Sequence, residues 1–163
     1  MPDKLTTDKE KLDKESLIIA AAEATDFANP ALLPSLTLAY LGDAVYEVYV
    51  RSRLIADGLR RVNELHDAAV PLVSAAGQSE LFSRIEPLLT EEESDVYRRA
   101  RNAKSPHRRR GAEPVDYHRA TGLEALVGFL FLAGRQGKLS EMVEVLFAAG
   151  DSEADTGAET GNE

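Results

Sequence analysis

Residues 35–56 read SLTLAYLGDAVYEVYVRSRLIA, and the reading of this run decides the fold. Leu41, Ala44, Val45, Val48 and Ser52 recur at helical spacing along one stripe, and Gly58 beyond the run is a stop signal. A helix over Ser35 to Ala56 is the prediction. Working outward, every other apolar pattern has the same period, and no stretch alternates as a half-buried strand would.

A first helix is expected over Glu15 to Phe27, ending before Asn29-Pro30 because proline pushes its predecessor out of the helical region. After the decisive run, Asn63 reads as an N-cap with Glu64 just inside, and the pattern continues through Leu65, Ala69, Leu72, Val73, Ala76 and Leu81. Pro71 should kink or divide that helix, since it lacks an amide donor and crowds the preceding turn. Thr90 followed by three glutamates caps a further helix to about Lys104, and Ser105 to Pro114 reads as a loop. The last two helices are expected over Asp116 to Ala133 and Ser140 to Ala148. The expectation is all-α, one compact domain of about six to seven helices over 15–150, with tails at 1–14 and 151–163 too polar to bury a core.

Composition removes several classes of chemistry. With no cysteine there is no thiolate zinc site and no thiol nucleophile, and three scattered histidines argue against a histidine metal site. Any metal would be held by oxygen. The longest uncharged stretch, Phe27 to Gly42, is shorter than the ~18 residues of a membrane span and holds two prolines. The N-terminus lacks the apolar run of a signal peptide, so no membrane partner and a cytoplasmic location are expected. The net charge of -9 conceals an uneven distribution. Five acids without a base fall in Asp151 to Glu163, whereas Arg98, Arg99, Arg101, Lys104, Arg108, Arg109 and Arg110 put seven positive charges into thirteen residues. Screening over roughly 8 Å lets such a patch act despite a distant acidic tail, so a polyanion partner is permitted.

Two acids stand where an amphipathic helix does not need them. Glu124 lies between Leu123 and Ala125, with Ala120 and Thr121 a turn before and Val127 and Gly128 a turn after. Asp43 sits within Leu38-Ala39-Tyr40-Leu41-Gly42-Asp43-Ala44-Val45, where its low helix propensity makes it a costly choice. Either acid alone reads equally as the solvated side of its helix. Were they to converge, two carboxylates about 4 Å apart would repel by about 4 kcal/mol at an effective dielectric of 20, and would share a proton or bind a cation. Carboxylate and water ligands suit Mg²⁺ or Mn²⁺.

The segment Leu38 to Val45 is similar to the signature helix of the ribonuclease III family, and Thr121-Gly122-Leu123-Glu124-Ala125-Leu126-Val127-Gly128 is similar to its second acidic motif. Arg101-Asn102-Ala103-Lys104-Ser105 resembles the Mini-ribonuclease III subgroup, as does the expected lack of a separate domain for double-stranded RNA. The similarity runs over about residues 34–150. It implies that Asp43 and Glu124 are the catalytic, metal-binding residues, with Mg²⁺ as cofactor and Mn²⁺ as a substitute. Two further acids of the full-length enzymes correspond here to Ala39 and Thr121, a loss shared by the subgroup, so water should complete the metal shell and Thr121 is a second-shell candidate. Glu47, one turn beyond Asp43, is either second-shell, a dimer contact or ordinary surface.

The basic segment supplies the RNA-binding candidates Arg101, Asn102, Lys104, Ser105, Arg108, Arg109 and Arg110, although bases also favour a helix C-terminus for its dipole alone. The resemblance implies an endoribonuclease for double-stranded RNA leaving 5′ phosphate and 3′ hydroxyl ends, maturing precursors of large-subunit (23S) ribosomal RNA, with ribosomal proteins as possible partners on the precursor. It also implies a homodimer paired through the signature helices, for which Tyr40, Val48 and Tyr49 serve if exposed, though core packing accounts for them equally well. Two other classes stay open: a non-catalytic module with a degenerate ribonuclease III fold that grips structured RNA, and a helical interaction protein with no RNA role.

Overall fold

The computed structural model describes residues 29–104, 111 and 113–154, and among these every regular element is helical. Six α-helices follow in order: α1 (Ser35–Ala56), α2 (Val62–Val73), α3 (Ala75–Ile85), α4 (Glu91–Arg101), α5 (Pro114–Leu132) and α6 (Gln136–Ala154). Two single 3₁₀ turns, Pro30–Leu32 and Glu86–Leu88, lead into α1 and α4. The all-α expectation holds. The helix expected over Glu15 to Phe27 lies outside the described residues.

The core forms around α5. Its eleven residues from Ala120 to Leu130 are all buried, with α1, α3 and α4 packed along it and α6 against its C-terminal part. A helix enclosed on all sides has no need of a polar face, which is why its sequence is apolar around most of its circumference. Pro114 opens it at the first position, where the missing amide has no intrahelical partner to lose, so the helix begins two residues before the expected Asp116.

Local chemistry explains where the other helices start and stop. The Thr90 hydroxyl accepts from the Glu93 amide at 3.3 Å and the Glu93 carboxylate accepts from the Thr90 amide at 2.9 Å, a reciprocal cap for α4. Glu93 is buried and lies 3.4 Å from Arg135 and 3.7 Å from Lys138, which ties the start of α4 to the turn after α5 and to the first turn of α6. α4 ends at Arg101, one turn short of the expected Lys104. α6 runs from Gln136, a turn before the expected Ser140, and on to Ala154.

Three expectations need correction. The helix after Gly58 starts at Val62, not behind an Asn63 cap: the extended Arg61 offers its carbonyl to the Leu65 amide at 2.9 Å, so Asn63 is already inside. Pro71 lies within α2 and does not divide it. The break falls at Ser74, whose extended backbone ends α2; its hydroxyl donates to the Pro71 carbonyl at 3.1 Å and accepts from the Gly77 amide at 3.1 Å to cap α3. The third concerns α1. The face turned inward carries Leu38, Ala39, Gly42, Val45, Tyr46, Val50 and Leu54, whereas Ala44, Val48 and Ser52 of the expected stripe are exposed. α1 is apolar on two faces, and packing against α5 buries the one holding Gly42.

Candidate active site at the crossing of two helices

α1 and α5 meet backbone to backbone. A Cβ on Gly42 would stand 1.6 Å from the Glu124 carbonyl oxygen, so only glycine permits this approach. Glycine costs a helix interior roughly 1 kcal/mol relative to alanine, and here that cost allows an interaxial distance at the short end of helix packing. The contact brings together the helix segments that carry the two acids. Asp43 follows Gly42 directly, and Glu124 is itself the residue Gly42 touches.

Glu124 is buried, at 9% exposure, despite its charge, and the Asp43 Oδ1 is buried although the residue as a whole is partly exposed. Thr121, one turn before Glu124, is buried, and its hydroxyl donates to the Tyr117 carbonyl at 3.0 Å. That bond uses the hydroxyl proton and leaves the oxygen as an acceptor. Glu47 lies one turn beyond Asp43 on the same face and is ion-paired with Arg51, itself largely exposed. Ala39, one turn before Asp43, is buried and offers no donor.

Among the described residues, no three histidine, aspartate or glutamate side chains gather as a metal cage. Asp43 and Glu124 offer carboxylate oxygens, hard ligands of the kind Mg²⁺ and Mn²⁺ accept with several waters retained. The pair fits such an ion better than zinc or a soft metal, for which no thiolate exists anywhere in the chain.

The basic segment divides on inspection. Arg98 and Arg99 are engaged by Asp95 at 3.5 and 3.2 Å, and Arg99 also donates to the Ala31 carbonyl at 2.7 Å. Arg101, Asn102 and Lys104 are exposed at the C-terminal end of α4, where no carboxylate among the described residues pairs with Arg101 or Lys104. Ser105, Arg108, Arg109 and Arg110 lie outside the described residues.

Two tyrosines hold neighbouring helices in place. The Tyr46 hydroxyl donates to the Leu72 carbonyl at 3.0 Å, linking α1 to α2, and burial pushes its phenol well above the ordinary range. Tyr97 stacks on Phe82 with ring centroids 3.5 Å apart and packs over Gly122, on the far side of α5 from Glu124. Burial raises its phenol as well, and the guanidinium groups of Arg119 and Arg101 offset part of the rise. The sequence placed Gly42 in the signature segment without showing that it is a packing contact, and nothing in the pattern pointed to Arg119 or Tyr97. The one available signal was glycine inside strongly helical runs.

The model of the ribonuclease III domain matches residues 36–135, a span that begins in α1, ends just beyond α5 and contains both acids. Mini-ribonuclease 3 of Symbiobacterium thermophilum is 52% identical over 117 residues, covering 72% of this chain and 90% of the relative. Mini-ribonuclease 3 of Brevibacillus brevis is 44% identical over 126 residues, covering 77% and 94%. A crystal structure of a protein from Fusobacterium nucleatum superposes with a TM-score of 0.66 at 27% identity, over 73% of this chain and 95% of that one. Fold and matches together define a helical endoribonuclease domain. The chain belongs to the ribonuclease III family, in its Mini-ribonuclease 3 subgroup. Among the described residues no helix is long and apolar enough to cross a membrane.

Proposed function

We propose that this endoribonuclease cuts double-stranded RNA at the α1/α5 crossing, with Asp43 and Glu124 holding a divalent cation, Mg²⁺ or Mn²⁺. The observation that supports the reading is the contact of Gly42 with the Glu124 backbone, which brings together the helix segments that bear the two carboxylates, in a partly buried place. Like charges drawn together there would call for a cation between them. Such an ion, when bound, acidifies water and neutralises charge on the phosphate and on the departing 3′ oxygen.

The chain's own groups do the rest. Asp43 and Glu124 would hold the cation beside the helix crossing, and the Thr121 oxygen accepts a hydrogen bond from a nearby water and orients it. Arg101, Asn102 and Lys104 hold the duplex backbone, with Ser105, Arg108, Arg109 and Arg110 extending that contact. Such contacts position a substrate without reading its bases, and the shape and 2′ hydroxyls of A-form RNA supply selectivity. Glu47 supports the site from behind Asp43 or meets a second copy of the chain. In-line attack by water leaves a 5′ phosphate and a 3′ hydroxyl.

The enzyme acts as a homodimer joined through α1, so that two sites address the two strands. Support comes from the outward face of that helix: Tyr40 is 84% exposed and Val48 48%. Exposed apolar side chains on a helix beside the site mark a contact surface. The substrate most in keeping with the subgroup is a precursor of 23S ribosomal RNA in the cytoplasm, met on a particle that also carries ribosomal proteins. Incubation with a long RNA duplex tests the core of this reading. Cutting with Mg²⁺ that chelation abolishes, with ends that ligase accepts only as 5′ phosphate and 3′ hydroxyl, is the expected result; metal-independent cutting or cyclic phosphate ends would overturn it.

A further inference from the structure

We infer that Gly128 is a positioning residue that sets the size of cation accepted between Asp43 and Glu124. The inference rests on the cation reading above and adds to it a residue that touches neither the ion nor RNA. Gly128 lies one turn after Glu124 on the same face of α5. A Cβ built on it would stand 2.1 Å from the Leu38 carbonyl oxygen and 3.2 Å from the Gly42 amide nitrogen. In the other direction, a Cβ on Gly42 would stand 2.8 Å from the Gly128 amide nitrogen. The two glycines therefore interlock, each seated on the backbone of the opposite helix. Leu38 faces Gly128 where Gly42 faces Glu124, so the helices run antiparallel through the contact.

This contact has nothing soft in it. The atoms that would be struck are backbone atoms, not the ends of side chains that can swing away. Leu38, Leu123 and Val127 are at most 2% exposed and fill the flanks, which leaves no room for a sideways slip. Asp43 is bonded to Gly42 and Glu124 belongs to the same turn as Gly128, so a change in backbone spacing at the crossing moves the segments that carry the two acids. Alanine at 128 must open the 2.1 Å approach toward the 3.4 Å of ordinary contact, a separation on the order of an ångström at the crossing. Mg²⁺ demands a near-regular octahedron with oxygens at about 2.0–2.1 Å, whereas Ca²⁺ accepts irregular shells at about 2.3–2.6 Å. Wider spacing therefore weakens Mg²⁺ more than Ca²⁺.

Gly122 supplies the control. It is six residues earlier on the same helix, but a Cβ there would meet the Tyr97 ring at 2.5 Å on the opposite face. Gly122→Ala disturbs packing without moving α1 against α5.

The test is Mn²⁺ binding by the full chain, followed by electron paramagnetic resonance, with Mg²⁺ and Ca²⁺ as competitors. In Gly128→Ala the preference for Mg²⁺ over Ca²⁺ should fall by about tenfold or more, whereas Gly122→Ala should keep the wild-type ratio even as its melting temperature drops. Glu124→Asp retracts one carboxylate by a methylene while leaving the helix contact intact, and should shift the ratio in the same direction even if Gly128→Ala fails to fold. An unchanged ratio in folded Gly128→Ala, or in Glu124→Asp, would overturn the inference. Absence of Mn²⁺ binding by the wild type would instead overturn the cation reading on which it stands.

Discussion

The α-carbon of Gly42 sits against the backbone of Glu124 so tightly that a methyl group on it would lie 1.6 Å from the Glu124 carbonyl oxygen. The same contact packs the core and joins the helices that carry Asp43 and Glu124, so stability and activity should fail together at this position. Gly42→Ala should destabilise by about 2 kcal/mol, the upper part of the range for overpacked cores, and lower the melting temperature by about 4–8 °C. Differential scanning calorimetry beside a cleavage assay checks both effects.

The cations at the end of α4 should contribute unequally. Arg101→Ala and Lys104→Ala remove exposed charges with no carboxylate partner among the described residues. Each should weaken duplex binding and reduce the slope of log affinity against log salt by about 0.9. Arg99 is held by Asp95 and by the Ala31 carbonyl, so Arg99→Ala should alter the slope less. Filter binding in Ca²⁺ at a series of salt concentrations separates these cases.

Thr121→Val keeps the shape of the side chain and deletes the hydroxyl that bonds the Tyr117 carbonyl. The lost bond should cost about 1 kcal/mol of stability. If the oxygen orients the attacking water, cleavage should fall about tenfold or more with duplex affinity unchanged, the scale seen when groups around a metal site are removed. A variant as active as the wild type would remove Thr121 from the site.

Stability should also depend on alkaline pH. Burial raises the phenols of Tyr46 and Tyr97 above their ordinary value near 10, which means that the fold prefers both protonated. Their contribution is complete below about pH 10 and is lost as pH rises through the folded-state values. Tyr46→Phe gives up the bond to the Leu72 carbonyl, about 1 kcal/mol at neutral pH, and should flatten the alkaline decline. Urea unfolding midpoints measured on either side of about pH 10 report both effects.

What the chain disclosed beforehand was what its local chemistry decides. The limits of α1 and the Thr90–Glu93 cap follow from spacing and side-chain hydrogen bonding within a few residues. Asp43 and Glu124 stood out for a related reason, since each breaks the apolar pattern of the helix that carries it. The features that escaped depend on what lies opposite. Which face of α1 turns inward is set by Gly42 meeting α5, and the division at Ser74 rather than Pro71 depends on a hydroxyl serving both helices. Periodicity registers apolar side chains; it cannot register a place where the absence of a side chain is the contact.

Cleavage of a long RNA duplex in Mg²⁺ by the wild type, Asp43→Asn and Glu124→Gln tests the central claim most directly. Both substitutions keep shape and remove charge. The account predicts that the wild type cuts and that both variants lose cleavage by roughly 10²-fold or more, the scale of deleting one preorganised electrostatic group, while duplex binding in Ca²⁺ persists. Cutting by either variant at the wild-type rate, or duplex binding without cutting by the wild type, would contradict it.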